Sequence, residues 1–121
     1  FDYSDKVVAR FSNIGKVNVD VFAPGVQIYA TTPNNAYQYL AGTSMASPNV
    51  AGVAALIRSY YPKLTASQVK HILMDSGVAI TTDVVVGGNP KDTRSFSTLS
   101  QSGKIVNAYN AILMADKMST K

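Results

Sequence analysis

The chain has 121 residues, and its eleven basic and seven acidic side chains give a formal net charge of +4. Hydrophobic residues make up 46 % and charged residues 15 %, which argues against disorder and supplies enough apolar material for the core of one domain. The absence of cysteine excludes disulfides and thiolate metal sites, the scattered basic residues predict no nucleic-acid partner, and no apolar run approaches the ~18 residues that a membrane span needs.

The first 40 residues predict short strands separated by turns. Apolar runs and alternating patterns indicate strands over residues 6–11, 17–22, 26–31 and 37–40. Between them, asparagine, glycine and proline predict turns over residues 12–15, 23–25 and 33–35.

A helix is predicted from about Ser44 to Tyr61, because small and apolar residues occupy almost every position there. Pro48 is tolerated best in the first turn of a helix, and Pro62 marks the far end. A helix that is apolar on all faces is a buried helix, so neighbours are expected on every side. Strands followed by a buried central helix favour the α/β class.

The last part of the chain predicts two more helices. Residues 65–68 match a capping box, and the helix that follows carries Val69, Ile72 and Leu73 on one face. Gly77 is predicted to stop that helix. Residues 84–86 predict a small strand and residues 87–90 a loop. Asn107 is predicted to cap a last helix, whose apolar face is formed by Ala108, Ala111, Ile112 and Ala115.

Residues 41–52, with the sequence AGTSMASPNVAG, place Ser44 at the N-terminus of the buried helix. Free N–H groups and the positive end of the helix dipole stabilise negative charge there. A serine that attacks a carbonyl generates an oxyanion near its own N–H, so this position suits a nucleophile. Position alone leaves open that Ser44 is an ordinary helix cap. The spacing also fails the G-x-S-x-G elbow, because Ala46 stands where glycine is needed.

The whole string over residues 42–52 resembles the active-site serine motif of the subtilisin-like serine proteases. Three further segments resemble that family, with the sequences ARFSNIG over 9–15, VFAPGVQI over 21–28 and GKIVNAYNA over 103–111. The resemblance covers nearly the whole chain and is weakest from about residue 78 to residue 99. It implies the C-terminal portion of a three-layer α/β fold, with a parallel sheet and a buried central helix that starts near Ser44.

The resemblance implies peptide-bond hydrolysis through an acyl-enzyme, with Ser44 as the nucleophile. The Ser44 N–H would form part of the oxyanion hole, and the Thr43 hydroxyl would support it. In the family, the catalytic aspartate and histidine motifs and the oxyanion asparagine all precede this region. Residues 1–121 are therefore expected to be the C-terminal segment of one peptidase domain. Alone, this segment is expected to be inactive, to expose apolar patches and to self-associate.

The resemblance also implies partners and a location. A protein or peptide is the expected substrate, and the upstream part of the same catalytic domain is the expected partner. The expected location is extracellular or periplasmic. No cofactor is predicted: calcium sites occur in the family, but no His, Asp and Glu residues here have metal-ligand spacing.

Two segments partly resemble the family's catalytic aspartate and histidine motifs. Residues 75–77, Asp-Ser-Gly, read like the aspartate motif, but they follow the serine and end a predicted helix. His71 is the only histidine, and it lacks the family's H-G-T-H context. Both are predicted to be ordinary helix residues. Asn49 stands where the family usually carries a non-catalytic histidine, which questions local packing.

Alternatives remain open for one aromatic group and for the function. Tyr29, Tyr37 and Tyr39 are either substrate-cleft aromatics or ordinary strand packing, and packing is favoured. The alternative function is a catalytically silent subtilisin-like domain with a structural or interaction role. A third alternative is an unrelated binding module centred on the apolar helix, which requires the long motif match to be chance.

Overall fold

The computed structural model describes residues 7–119. The elements are β1 (Ile28–Thr32), β2 (Ala36–Leu40), α1 (Thr43–Tyr60), α2 (Ala66–Asp75), β3 (Val78–Ala79), β4 (Asp83–Val86), β5 (Asn89–Ser95), a 3-10 turn (Phe96–Thr98), β6 (Lys104–Ile105) and α3 (Ala108–Ser119). Between residues 7 and 119, no helix combines the length and apolarity needed to cross a bilayer.

The strands form three separate antiparallel pairs, β1–β2, β3–β6 and β4–β5. The parallel sheet implied by the resemblance is reduced, within the described residues, to a single parallel bridge between Phe22 and Ile105. Around that bridge, the Phe22 N–H donates to the Lys104 carbonyl at 3.0 Å and the Val106 N–H donates to the Phe22 carbonyl at 2.8 Å. One parallel contact therefore joins the segment before β1 to the segment before α3.

Two predicted strands do not form. Residues 7–11 bend and turn, and Lys6 of that prediction lies outside the described residues. Residues 17–22 contain turns and the one bridge, although residues 19–22 run beside residues 101–106 with hydrogen bonds between them. An alternating pattern indicates an extended backbone, but a strand also needs a regular partner, and here the partner is a loop.

The other predicted strands are present with shifted ends. β1 starts two residues late because Gln27 has a φ of 53°, which breaks the extended backbone. The sequence predicts a loop over residues 87–90, but β5 already begins at Asn89. Gly87 and Gly88, with φ values of 61° and 71°, make a turn tight enough to join β4 directly to β5.

Helix α1 lies where it is predicted but is buried on one side only. Ile57 is its single buried residue, with Val50, Val53 and Ala54 partly buried against α2 and α3. The opposite side is exposed, because nothing among the described residues covers it; it includes Ala51, Gly52, Ala55 and Leu56. The expectation of neighbours on every side is therefore not met within residues 7–119.

Pro48 lies in the second turn of α1 and not in the first, because the helix already begins at Thr43. Proline has no N–H, so the Ser44 carbonyl loses the donor that a helix normally supplies four residues on. The predicted start of the helix is therefore correct to within one residue, whereas the prediction that Pro48 lies in the first turn is wrong by one turn.

Two apolar clusters hold the described residues together. The first joins the three helices through Ile57, Leu64, Val69, Ile72, Leu73, Ala111 and Ala115. The second lies beneath the β4–β5 hairpin and consists of Val8, Val84, Val86, Phe96 and Leu99. The predicted apolar face of α2 is thus confirmed in full, whereas the face predicted for α3 is confirmed except for Ala108, which is exposed.

Both predicted helix caps are present. The Gln68 N–H donates to Thr65 Oγ1 at 3.2 Å, and the Thr65 N–H donates to Gln68 Oε1 at 2.8 Å. The Asn110 N–H donates to Asn107 Oδ1 at 2.8 Å. These bonds span three residues each, so the local sequence is sufficient to specify them.

Gly77 is needed for a different reason from the one predicted. Its φ is not positive, so Gly77 does not adopt the left-handed conformation of a helix stop. A Cβ atom at Gly77 would lie 2.7 Å from the Ile105 carbonyl oxygen and 2.8 Å from Lys104 Cβ. The glycine therefore permits the close pairing of β3 with β6.

We expect Thr65→Ala to lower the free energy of unfolding by about 1 kcal/mol, because it removes the side chain that caps α2. Urea unfolding followed by circular dichroism measures the change. Ser67→Ala is the matched control, since Ser67 is an exposed serine in the first turn of the same helix with no cap role. An equal loss in both variants would contradict the cap interpretation.

Candidate active site

Ser44 is exposed in the first turn of α1, at the helix end where backbone N–H groups lack helical partners. The helix follows Gly42, and no side chain caps it. The Met45 N–H donates back to the Gly42 carbonyl at 3.0 Å. An oxygen anion formed beside Ser44 would therefore meet the positive end of α1 without competition from a capping side chain.

The start of α1 is held by a segment that lies before β1 in the chain. The Gly42 N–H donates to the Gly25 carbonyl at 2.8 Å. Asn49 Nδ2 donates to the Pro24 carbonyl at 2.8 Å and to the Met45 carbonyl at 3.2 Å. These bonds clamp both the entry to α1 and its second turn onto residues 24–25.

Gly25 allows this close approach. A Cβ atom there would lie 2.9 Å from the Gly42 carbonyl oxygen and 3.2 Å from Ala46 Cβ. The sequence marks Gly25 only as part of a motif and Asn49 only as a departure from one, so it does not reveal that both residues position α1. The contact joins residues far apart in sequence, and the only local signal for it is the Ala-Pro-Gly string itself.

Two hollows flank Thr43. One has a volume of about 200 Å³ and is lined mainly by apolar side chains, among them Val8, Phe11, Phe22 and Phe96. The other, of about 520 Å³, runs along α1 between the helix and residues 18–23. Thr43, the residue before Ser44, lines both hollows.

His71 and Asp75 are not joined to Ser44. His71 is exposed on α2, and its Nδ1 lies 2.8 Å from the Ser67 carbonyl of the same helix. Asp75 ends α2, and its carbonyl accepts a bond from Lys104 Nζ at 2.6 Å. Across residues 7–119, no hydrogen bond connects the Ser44 hydroxyl to a histidine or an aspartate.

The three tyrosines do not pack into a core. Tyr29, Tyr37 and Tyr39 are 59 %, 59 % and 71 % exposed, and their rings stack on one another on the β1–β2 hairpin. The predicted strand packing is therefore present as contacts between the rings across β1 and β2, on the exposed side of the hairpin.

The perturbed ionisable groups lie on other elements. Burial, together with a bond from the Tyr61 hydroxyl to Asp116 Oδ1 at 3.1 Å, raises the pKa of Tyr61 after the last turn of α1. In β5, Arg94 donates to both carboxylate oxygens of Asp92 at 2.9 and 3.0 Å. This contact lowers the pKa of Asp92 and raises the pKa of Arg94.

No three His, Cys, Asp or Glu side chains of the described chain converge on a point that a metal ion could occupy. The absence of a cofactor stays a prediction.

Ser44 is thus an exposed serine at the uncapped start of α1. The model of the subtilase family, peptidase S8, matches residues 2–108. The chain therefore belongs to the subtilase family, a family of serine proteases.

Curated relatives agree with this assignment. Subtilisin DY of Bacillus licheniformis is 57 % identical over 70 residues, which are 58 % of this chain and 25 % of that protein. Subtilisin-like protease 2 of Plasmodium falciparum is 35 % identical over 100 residues, 82 % of this chain and 7 % of that protein. The chain thus spans a quarter or less of these relatives.

Solved structures support the fold. A structure of the subtilase cytotoxin SubAB assembly matches 88 % of this chain and 29 % of its own, with a TM-score of 0.69 and 29 % identity. The A-subunit of the AB5 toxin from E. coli matches 84 % of this chain and 29 % of its own, with a TM-score of 0.67 and 29 % identity. The α/β class implied by the sequence is confirmed.

Proposed function

We propose that this chain is the C-terminal part of the catalytic domain of a serine endopeptidase, with Ser44 as its nucleophile. The observation that carries the proposal is the exposure of Ser44 at the uncapped N-terminus of α1, inside the GTSMASP string. Membership of a serine protease family supports it. The chain's span of a quarter of Subtilisin DY supports the place of this segment within a longer domain.

In this proposal Ser44 Oγ attacks the carbonyl carbon of the substrate and passes its proton to a general base. The Ser44 N–H stabilises the oxyanion, and the Thr43 hydroxyl supports it. The C–N bond then breaks, the amine leaves with a proton, and water releases the acyl group from Ser44. The base and the aspartate that orients it belong to the upstream part of the domain, because neither His71 nor Asp75 is bonded to Ser44.

The substrate is proposed to be a protein or peptide, and the upstream part of the catalytic domain is the proposed partner. That part would cover the side of α1 that is exposed here, where Leu56 is 40 % exposed. An extracellular or periplasmic location is a further part of the proposal, supported by the family resemblance. The proposal includes no cofactor, because no His or Asp residues of the sequence have metal-ligand spacing.

A fluorophosphonate probe tests the nucleophile. In the intact catalytic domain, which is this chain together with its upstream part, we expect mass spectrometry to find the probe on Ser44. The isolated 121-residue chain should remain unlabelled, since its serine has no general base.

Ser47→Ala is the matched control, because Ser47 is an exposed serine one turn further along α1. We expect Ser47→Ala to label like the unaltered domain and Ser44→Ala not to label. An intact, folded domain that takes no probe would contradict the proposal and favour the catalytically silent alternative.

A further inference from the structure

The β1–β2 hairpin carries an exposed aromatic surface, the tyrosine face, formed by Tyr29, Tyr37 and Tyr39. Tyr29 stands directly opposite Tyr39 in the strand register, with ring centroids 4.9 Å apart. The ring of Tyr37 stacks on Tyr29 at 5.5 Å with an interplanar angle of 22°. The ring of Tyr29 therefore joins the other two rings into one aromatic cluster.

Within residues 7–119 the tyrosine face fills no core. The opposite side of the hairpin is the half-buried one, with Ile28, Ala30 and Leu40 on it. A cross-strand aromatic pair stabilises a hairpin by roughly 0.2–1 kcal/mol. One such pair would be sufficient for the hairpin, so its stability does not explain three exposed rings. Exposed tyrosines are typical of surfaces that bind another polypeptide.

The tyrosine face is connected to the nucleophile by a short, fixed segment. Tyr39 lies five residues before Ser44, so their Cα atoms are at most about 18 Å apart. The bond from the Gly42 N–H to the Gly25 carbonyl holds the connection in place. An extended peptide advances about 3.3 Å per residue, so a substrate that runs from Ser44 towards Tyr39 covers this distance in about five residues.

The lack of charge on the hairpin favours an aromatic side chain as the group that binds to the tyrosine face. Neither strand, with the sequences IYATT and AYQYL, contains a charged residue. Aromatic rings pair with other aromatic rings in stacked or edge-to-face geometry. A cationic side chain would also be attracted to the rings, but no acidic residue of either strand would help to hold it.

We propose that the tyrosine face binds an aromatic side chain of the polypeptide substrate, within about five residues of the scissile bond, and so selects among substrates. The inference rests on the proposed function.

The test compares peptides that share one cleavage sequence. Phenylalanine or serine is placed two to five residues from the scissile bond, on either side, and kcat/KM is measured with the intact catalytic domain. We expect phenylalanine at one or more of these positions to raise kcat/KM about threefold to tenfold, the size of an aromatic pair. A preference for lysine or arginine at these positions, or for no residue, would overturn the inference.

Three variants assign the preference to the rings. Tyr39→Ser and Tyr29→Ser should each reduce it, whereas Tyr39→Phe should keep it because the ring remains. Tyr109→Ser is the matched control, since Tyr109 is 73 % exposed on α3. The rate on the serine peptides should be the same in all variants, which shows that the fold and the catalytic machinery are intact.

Peptide binding to the Ser44→Ala domain, measured by fluorescence anisotropy, separates this inference from the proposed function. A phenylalanine preference in binding, without hydrolysis by the unaltered domain, would support the tyrosine face and overturn the protease proposal. Hydrolysis with equal rates for phenylalanine and serine peptides would overturn the tyrosine face alone. Equal binding without hydrolysis would overturn both.

Discussion

Ser44→Ala in the intact catalytic domain is expected to lower kcat for peptide hydrolysis on the order of 10⁶-fold, the effect that loss of the nucleophile has in a subtilisin. Alanine has no oxygen to attack the carbonyl, so the acyl-enzyme cannot form. Ser44 is exposed at the start of α1 and belongs to neither apolar cluster, so the substitution leaves the described core intact. Steady-state hydrolysis of a chromogenic peptide measures the change.

The substrate should still bind to Ser44→Ala, because the oxyanion site and the cleft remain. Peptide affinity is therefore expected to change little while kcat collapses. Ser47→Ala is again the control, and its kcat should stay close to that of the unaltered domain. Retention of a tenth or more of the activity by Ser44→Ala would show that another group carries the reaction.

Gly25→Ala is expected to lower kcat/KM by about 10²-fold, although Gly25 is no part of the nucleophile. The added Cβ would lie 2.9 Å from the Gly42 carbonyl oxygen, so the start of α1 must shift away from residues 24–25. A displacement of the nucleophile by about 1 Å is enough for a loss of this size. Peptide hydrolysis and the rate of fluorophosphonate labelling should fall together.

Gly15→Ala is the matched control for this substitution. The nearest atom to a Cβ at Gly15 is Val19 Cγ2 at 4.0 Å, and Gly15 has no positive φ. The activity of the Gly15→Ala variant should match that of the unaltered domain. Thermal melting of Gly25→Ala distinguishes displacement from unfolding, and a folded, fully active Gly25→Ala variant would show that the clamp does not position Ser44.

The parts of the site that depend on local contacts can be predicted from the sequence, whereas those that depend on long-range contacts cannot. Ser44 can be singled out from the amino-acid sequence alone, because a helix start is a local property and the GTSMASP string is specific. Asn49 cannot be recognised in that way as a positioning residue, because its bond to the Pro24 carbonyl spans 25 residues. The same holds for the tyrosine face, since strand alternation places the three rings on one side but does not say which side is covered.

The sequence alone determined the features whose contacts lie within one helical turn. The capping box of α2, the Asn107 cap and the buried face of α2 all follow from residues three or four positions apart. Tertiary structure decided the rest, because it depends on which distant segments meet. It brought Gly77 against β6 and paired residues 19–22 with residues 101–106 instead of with a regular strand. It also left one side of α1 exposed, because no described segment covers Ala51, Gly52, Ala55 and Leu56.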